Sequence, residues 1–194
     1  LGGDQRRRLL ESIMSDSSWL RATVENLLAI TRLEDGGVNL KPTVELMDDV
    51  VEEALRHISP AVSHHTLTVD ACPDIALVNV DARLMVQVIL NLVDNAIAHT
   101  QDGSHIRIRT QMDANSVITE VEDDGPGISA QDRPHVFDSF YTAQDGAPDS
   151  HRSVGLGLAL CRSIVTAHAG TIELEPASPH GCIFRVILPA ASLE

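Results

Sequence analysis

The sequence predicts an α+β domain, in which one mostly antiparallel sheet is covered by helices on one face, preceded by a long helix. Three patterns support this fold class. Apolar residues near the N-terminus recur at alternating three- and four-residue spacing, two later segments alternate with period two around a short turn, and two others have helical periodicity. In that order, the segments are 4–34, 104–111 with 116–122, and 82–99 with 155–168.

Composition and charge argue against several classes of function. Of the 194 residues, 43% are hydrophobic and 22% are charged, which is typical of a globular protein. The formal net charge of −14 argues against a basic groove for nucleic acid, and no apolar run approaches the ~20 residues that span a bilayer. The three cysteines, Cys72, Cys161 and Cys182, have no paired spacing, which indicates a reducing compartment and no zinc site.

The first helix is predicted over 4–34, with Asp4 as its candidate N-cap and Gly36-Gly37 after its end. Five of its seven seam positions are apolar, as in a coiled coil or helix bundle. We expect this seam to pair with another helix; packing on the helix's own domain is the alternative. The seam positions are Leu10, Ile13, Ser17, Leu20, Val24, Leu27 and Thr31.

The rest of the chain, from about residue 43, alternates between helical and strand patterns. Asp81 is the predicted N-cap of helix 82–99, and Asp113-Ala114-Asn115 is the predicted turn of the hairpin. Residues 142–153 are polar and lack periodicity, so we expect a mobile loop there. The other predicted elements are helices at 45–58, near 129–139 and at 155–168, and strands at 66–70, 76–80, 171–175 and 182–188.

Helix 82–99 carries a polar stripe of Gln87, Asn91, Asn95 and His99, spaced by four so that they share one face. The neighbouring stripes are apolar. Solvent-facing helix surfaces usually carry Glu, Lys and Arg, which are better helix formers than Asn. The two asparagines therefore indicate carboxamides that face a ligand or metal; a water-facing stripe is the alternative.

Two glycine-rich segments are candidate ligand loops. The segment 123–128, Asp-Asp-Gly-Pro-Gly-Ile, directly follows a predicted strand, so that its glycines permit a tight turn and its first carboxylate can accept a hydrogen bond from an exocyclic amine. Gly155 and Gly157 stand at a helix start, where free backbone amides favour phosphate. Each segment alone is a weak signal, since polar turns and Gly-x-Gly are common.

The order of these elements resembles the Bergerat (GHKL) ATP-binding fold, a two-layer α/β sandwich. Together with the N-terminal seam, it resembles the catalytic region of the sensor histidine kinases of two-component systems. Residues 31–34 and 154–165 are most similar to the Kdp potassium-sensor subgroup. The corresponding motifs are an N box at 91–100, a first glycine box at 123–127, a phenylalanine box at 137–141, a second glycine box at 155–158 and the last hairpin at 170–189.

This resemblance implies a site for ATP and Mg²⁺. Asn95 would bind Mg²⁺ with help from Asn91, and Asp123 would accept the adenine amino hydrogen. Residues 141–154 would be the nucleotide lid, with Phe137 and Phe140 anchoring its base. The residues implied to contact nucleotide or metal are Asn91, Asn95, His99, Thr100, Asp123, Gly125, Gly127, Ile128, Phe140, Tyr141, Gly155, Leu156, Gly157 and Leu158.

The sequence departs from the family pattern at three places. Ala98 stands where the family usually has Lys, so the phosphate charge would be met by Mg²⁺ and by arginines such as Arg133 or Arg152. Ser153 stands where the lid box usually opens with Gly, so we expect lid closure to differ. None of the nine histidines precedes Asp or Glu, as the family's phosphoacceptor does. We therefore expect 1–36 to be the second helix of a truncated dimerisation and phosphoacceptor hairpin, and 43–194 to be the catalytic ATP-binding domain.

The resemblance implies transfer of the ATP γ-phosphoryl to a histidine absent from this fragment, and then to the receiver domain of a response regulator. It also implies a homodimer of the full-length protein, no nucleic-acid partner, and the cytoplasmic portion of an inner-membrane sensor, attached only through missing upstream segments. Three alternatives remain: a GHKL ATPase, whose relatives carry a Glu base where this chain has Asn91; an anti-sigma-type serine kinase, which lacks the long helix; and a degenerate nucleotide-binding or dimerisation module without kinase activity.

Overall fold

The computed structural model describes residues 23–33, 40–142 and 154–192, and also Ile13, Ser17, Leu20 and Arg21. The described residues between 13 and 33 are helical and form α1. The elements that follow are β1 (Thr43–Leu46), α2 (Met47–Leu55), β2 (Thr66–Asp70), β3 (Leu77–Val80), α3 (Ala82–His99), β4 (His105–Asp113), β5 (Ser116–Asp123), α4 (Gly157–Ala167), β6 (Thr171–Pro176) and β7 (Cys182–Pro189), with short 3₁₀ turns at Pro60–His64 and Arg133–His135.

Five strands form the main sheet in the order β2-β4-β5-β7-β6. The pair β2 and β4 is parallel and the other pairs are antiparallel, so the sheet is mostly antiparallel, as predicted. The parallel pair needs a crossover connection, and α3 lies within it. A second, two-stranded sheet of β1 and β3 was not predicted.

The helices and the sheet share one apolar core. Alternate residues of β5 and β7 are buried, as expected for strands with one covered face. α3 and α4 pack against each other and contact β5 and β6 respectively, which places the polar stripe of α3 next to the first turn of α4. The largest side chains in this core are Phe184, Met47, Met85, Ile89 and Leu92.

Three local predictions were wrong. The helix predicted at 45–58 begins only at Met47, because the preceding residues pair with β3 as β1. The helix predicted near 129–139 is reduced to the 3₁₀ turn at Arg133–His135, where Pro134 cannot donate a backbone hydrogen bond. Asp81 occupies the N-cap position of α3 without a side-chain cap; its Oδ2 accepts a hydrogen bond from the Lys41 amide at 3.3 Å.

α1 has two different faces. Ile30 is 4% exposed and joins the core of the domain, with Ala29 and Leu33 packed beside it. The described apolar seam residues point elsewhere: Ile13, Leu20, Val24 and Leu27 are 41–55% exposed. These seam residues are therefore not buried against the rest of the described chain. Leu10 and the N-cap predicted at Asp4 lie outside the described residues, as do 143–153 of the predicted loop.

Candidate functional site

The N box lies in the second half of α3, and Asn91 connects it to α4. Asn91 Nδ2 donates to the carbonyl oxygen of Gly157 at 3.5 Å, and its side chain also hydrogen-bonds to the Cys161 thiol. Burial raises the pKa of Cys161 to about 12, so this thiol stays protonated and serves as a packing group. Asn91 thus joins two motifs that are 66 residues apart in the chain.

Asn95 lies one turn further along and is only half-buried. Within the described part of the chain its carboxamide makes no hydrogen bond, so its oxygen is available to a ligand. Gln87, at the other end of the predicted stripe, is not available: its Nε2 donates to Oδ1 of Asn26 in α1 at 3.4 Å. The stripe therefore divides into a part that docks α1 and a part that faces the site.

Asp123, at the end of β5, is 7% exposed. Its Oδ1 accepts a hydrogen bond from the Gly125 amide at 2.9 Å, and the Cys182 amide also donates to its carboxylate. Burial raises the pKa of Asp123, and these two backbone hydrogen bonds and the nearby His99 oppose that shift without cancelling it. The carboxylate is thus held in one orientation.

The first glycine box has no room for side chains. A Cβ on Gly125 would lie 2.8 Å from Asp123 Oδ1 and 2.9 Å from Thr100 Cγ2. Gly127 has φ +77°, which favours glycine. Gly181, in the turn before β7, is equally constrained, since a Cβ there would lie 1.8 Å from the Asp123 carbonyl oxygen. The β6–β7 turn therefore helps to shape the loop around Asp123.

The second glycine box contains two glycines with different roles. Gly155 has φ +70°, and a Cβ there would lie 2.3 Å from the Tyr141 carbonyl oxygen, so glycine is required by the protein itself. Apart from its chain neighbours and the adjoining helix backbone, no atom of the described residues lies within 4 Å of the position that a Cβ on Gly157 would take. The space beside Gly157, at the first turn of α4, is open to a ligand. Leu156 is buried and Leu158 packs against the core, so these two side chains fix the helix start.

The phenylalanine box anchors the ends of 141–154 in part. Phe137 packs edge-on against Phe184, with 6.2 Å between ring centroids. The Phe140 side chain is 59% exposed, and its backbone has φ +67°, so among the described residues it contributes to this anchor through its backbone. Its amide donates to the Gly155 carbonyl oxygen at 3.0 Å, which joins the two ends of this segment.

Tyr141 and Ile128 belong to the same corner of the site. The Tyr141 hydroxyl donates to the Asp132 carboxylate. Arg133 Nε donates to the Ile128 carbonyl oxygen at 2.9 Å, so this arginine supports the first glycine box. Arg152, the other arginine predicted to meet phosphate charge, lies outside the described residues.

His99 and Thr100 close the other end of α3. His99 is exposed, and Thr100 is the C-cap residue. Sequence analysis missed His65, whose Nε2 lies 2.9 Å from Thr100 Oγ1. Sequence analysis also placed Gly181 only in the last hairpin and assigned it no contact with the first glycine box. No local sequence pattern could have indicated either contact. His65 and Thr100 are 35 residues apart, and Gly181 meets Asp123 from a turn before a different strand.

The described residues contain no cluster of three or more His, Cys, Asp or Glu that could hold a metal ion by itself. The Asn95 carboxamide oxygen fits the role of a single protein ligand, since Mg²⁺ takes oxygen ligands and commonly shares them between protein, phosphate and water. No helix among the described residues is long and apolar enough to cross a membrane.

Comparison with known proteins places these features in a family. The profile described as histidine kinase-, DNA gyrase B-, and HSP90-like ATPase matches residues 80–192. The chain is 39% identical over 188 residues to the sensor protein KdpD of Clostridium acetobutylicum, a match that covers 96% of this chain and 21% of that protein. This chain therefore spans about a fifth of the length of that relative.

Two solved structures have the same architecture. The histidine kinase AdeS of Acinetobacter baumannii has a TM-score of 0.77 at 25% identity, over 95% of this chain and 85% of that one. Full-length ShkA in complex with AMPPNP has a TM-score of 0.81 at 22% identity, over 100% of this chain and 40% of that one. At that identity, the ShkA likeness shows the fold alone.

Proposed function

The chain belongs to the family of histidine kinase-, DNA gyrase B-, and HSP90-like ATPases. We therefore propose that its site binds Mg-ATP and that the domain containing this site is the catalytic domain of a sensor histidine kinase. One arrangement carries this proposal. The buried Asp123 carboxylate lies at one end of the site, and the free Asn95 carboxamide and the open space beside Gly157 lie at the other. Asp123 would match the base, Asn95 the metal, and the helix start at Gly157 the phosphates.

The base would lie against the first glycine box. Asp123 accepts the adenine amino hydrogen, and the lack of a side chain on Gly125 leaves the Asp123 carboxylate uncrowded, because a Cβ there would lie 2.8 Å from Oδ1. The amides of Gly125 and Cys182 keep the Asp123 carboxylate ionised and oriented. A ring that presents a carbonyl at this place would set acceptor against acceptor.

The phosphates would lie between Asn95 and the start of α4. The first amides of an α-helix have no partner within the helix, and its dipole favours an anion. α4 begins at Gly157, where no Cβ obstructs close approach. Asn95, with Asn91 beside it, would hold Mg²⁺, which neutralises phosphate charge and orients the γ-phosphoryl group. AMPPNP is present in the complex of ShkA, which shares this fold.

We further propose that the whole protein transfers the γ-phosphoryl to a histidine and then to an aspartate of a response-regulator receiver domain. The relatives named as sensor proteins and histidine kinases support this activity. The exposed seam of α1 supports a homodimer, since apolar residues at heptad spacing need a second helix. Attachment to the inner membrane, with this region in the cytoplasm, would come through segments outside this chain.

Isothermal titration calorimetry with Mg-ADP tests the nucleotide site. Asn95→Ala should weaken Mg-ADP binding, and the effect should shrink when EDTA replaces Mg²⁺, because the lost group acts through the metal. Asn79→Ala, on the exposed face of β3, is the matched control and should bind as the wild type does. Equal affinity of wild type and Asn95→Ala would exclude Asn95 as the metal ligand.

A further inference from the structure

We propose that His65 is a positioning residue for adenine recognition, acting through Thr100 on the first glycine box. The proposal rests on the proposed nucleotide function, and it assigns a role to a residue outside all the motifs of the site. His65 follows the 3₁₀ turn at Pro60–His64 and directly precedes β2, with its ring against Thr100.

The hydrogen-bond directions at Thr100 are fixed by its neighbours. Thr100 Oγ1 lies 2.7 Å from the Ala96 carbonyl oxygen, which can only accept, so the hydroxyl donates its hydrogen there. Its oxygen then has to accept from His65 Nε2, 2.9 Å away. His65 therefore carries a hydrogen on Nε2, and together with the Ala96 carbonyl oxygen it holds the Thr100 side chain in the observed rotamer.

That rotamer determines where the Thr100 methyl group lies. Thr100 Cγ2 lies 2.9 Å from the position that a Cβ on Gly125 would take, so the methyl group forms part of the wall behind this glycine. The Gly125 amide donates to Asp123 Oδ1 at 2.9 Å. His65 is thus linked through Thr100, which lies beside Gly125, to the carboxylate that would recognise the base.

His65 is itself held firmly by the backbone. Its amide donates to the Val62 carbonyl oxygen at 2.8 Å, and the next amide, that of Thr66, donates to Ser104 at 2.9 Å. The following residues enter the parallel β2–β4 pairing at Thr66 and His105. The ring is half-buried. A donor fixed in this way can hold Thr100 more rigidly than solvent can.

The test compares Mg-ADP with the diphosphate of purine riboside, which lacks only the 6-amino group. Their affinity ratio reports on Asp123 and is insensitive to changes that affect both nucleotides alike. In His65→Ala, the preference for ADP should fall by roughly threefold to tenfold, the range expected for loss of one hydrogen bond. His65→Gln, which retains an N–H donor at similar reach, should recover most of the preference.

Thr100 provides the second half of the test. Thr100→Val keeps the methyl shape but removes the hydroxyl, so adding His65→Ala to it should cost little further preference. His64→Ala is the matched control, since His64 is the exposed neighbour whose ring pairs with Asp102, at 3.5 Å, rather than with Thr100. It should keep the wild-type ratio.

The outcomes separate this inference from the proposed function. If wild type binds neither nucleotide, or if Asp123→Asn keeps the wild-type ratio, the proposed base recognition is wrong. If Asp123→Asn abolishes the preference while His65→Ala weakens both nucleotides equally, His65 has a structural role only and the inference is wrong. A selective loss in His65→Ala that Gln restores supports it.

Discussion

At the scale of single residues, Asp123 combines burial with charge. Its folded-state pKa is raised by burial, so ionisation of this carboxylate opposes folding at neutral pH. Two backbone amides partly offset that cost. Such a group is expected where a charged acceptor is needed for recognition, since a neutral side chain would serve stability better.

Replacing Asp123 by Asn should therefore change binding and stability in opposite directions. We expect Asp123→Asn to bind ADP more weakly and to lose its discrimination against GDP, because leaving a buried polar group unmatched costs about 1–3 kcal/mol. Its free energy of unfolding at pH 7 should rise. Calorimetry and urea unfolding measure the two effects; GDP bound as tightly as ADP by wild type would refute the role.

The raised pKa also predicts a pH dependence of binding. The adenine amine donates to the ionised carboxylate, so affinity for ADP should fall as the pH is lowered toward the Asp123 pKa. Because burial raises this pKa, the fall should begin at higher pH than the value of about 3.9 for an exposed Asp implies. Purine riboside diphosphate is the control, since its affinity relative to ADP should rise over the same range.

Thr119, in β5, has a buried side-chain hydroxyl group. The residue is 1% exposed, and its hydroxyl has no hydrogen-bond partner within the part of the chain that the structure describes. Thr119→Val keeps the shape and removes the buried hydroxyl, so it should raise the free energy of unfolding by about 1–2 kcal/mol. Urea unfolding checks this, with Thr171→Val on exposed β6 as the matched control; a loss of stability would show that the hydroxyl has a partner.

At the scale of secondary-structure elements, His168 joins the two helices that form the site. Its Nε2 accepts from the Asp81 amide at the start of α3 at 3.0 Å, and its Nδ1 donates to the Ile164 carbonyl oxygen in α4 at 2.8 Å. The ring is 8% exposed. Both contacts require the neutral tautomer with its hydrogen on Nδ1.

Removing this connection should destabilise the domain. His168→Ala leaves the Asp81 amide without its acceptor, so we expect the free energy of unfolding to fall by about 1–3 kcal/mol. His57→Ala, an exposed histidine at the end of α2, should change it by less than about 0.5 kcal/mol. Urea unfolding distinguishes the two, and similar values for both variants would contradict the role of His168.

The sequence predicted some elements closely and others poorly, for physical reasons. The bounds of α3 and of the β4–β5 hairpin follow from long, strictly periodic patterns with clear turn residues. The four residues of β1 are too few to show a period, and only their pairing with β3 makes them a strand. Within the site, Asn91 and Asn95 follow from helical spacing, whereas the His65 contact depends on how distant segments meet.

At the scale of the whole molecule, the similarity to the potassium-sensor subgroup is confirmed by the identity to KdpD along 96% of the chain. The GHKL fold is confirmed by the family match and by the AdeS structure. α1 contacts this domain through Ile30 and leaves its described apolar seam residues exposed, and their pairing with a second helix stays a prediction. Catalysis in trans or in cis would depend on that pairing.

This chain alone should not phosphorylate itself. Phosphoryl transfer needs an acceptor in line with the γ-phosphate, and none of its nine histidines has the acidic neighbour of the family's acceptor. Incubation with labelled Mg-ATP should therefore give binding but no acid-labile phosphohistidine. A peptide helix that carries the acceptor motif is the positive control. Stable label on one of the chain's own histidines would contradict the assignment.

The contact between Lys41 and Asp81 has a practical consequence. Lys41 is the only lysine of the chain, its side chain is exposed, and its amide fixes it near the start of α3. Asn95 lies 14 positions after Asp81, or about 20 Å along the helix at 1.5 Å per residue. With the N-terminal amine blocked, an amine-reactive dye at high pH would thus attach at one defined side chain, far enough from the site to report binding of a fluorescent nucleotide by energy transfer without obstructing it.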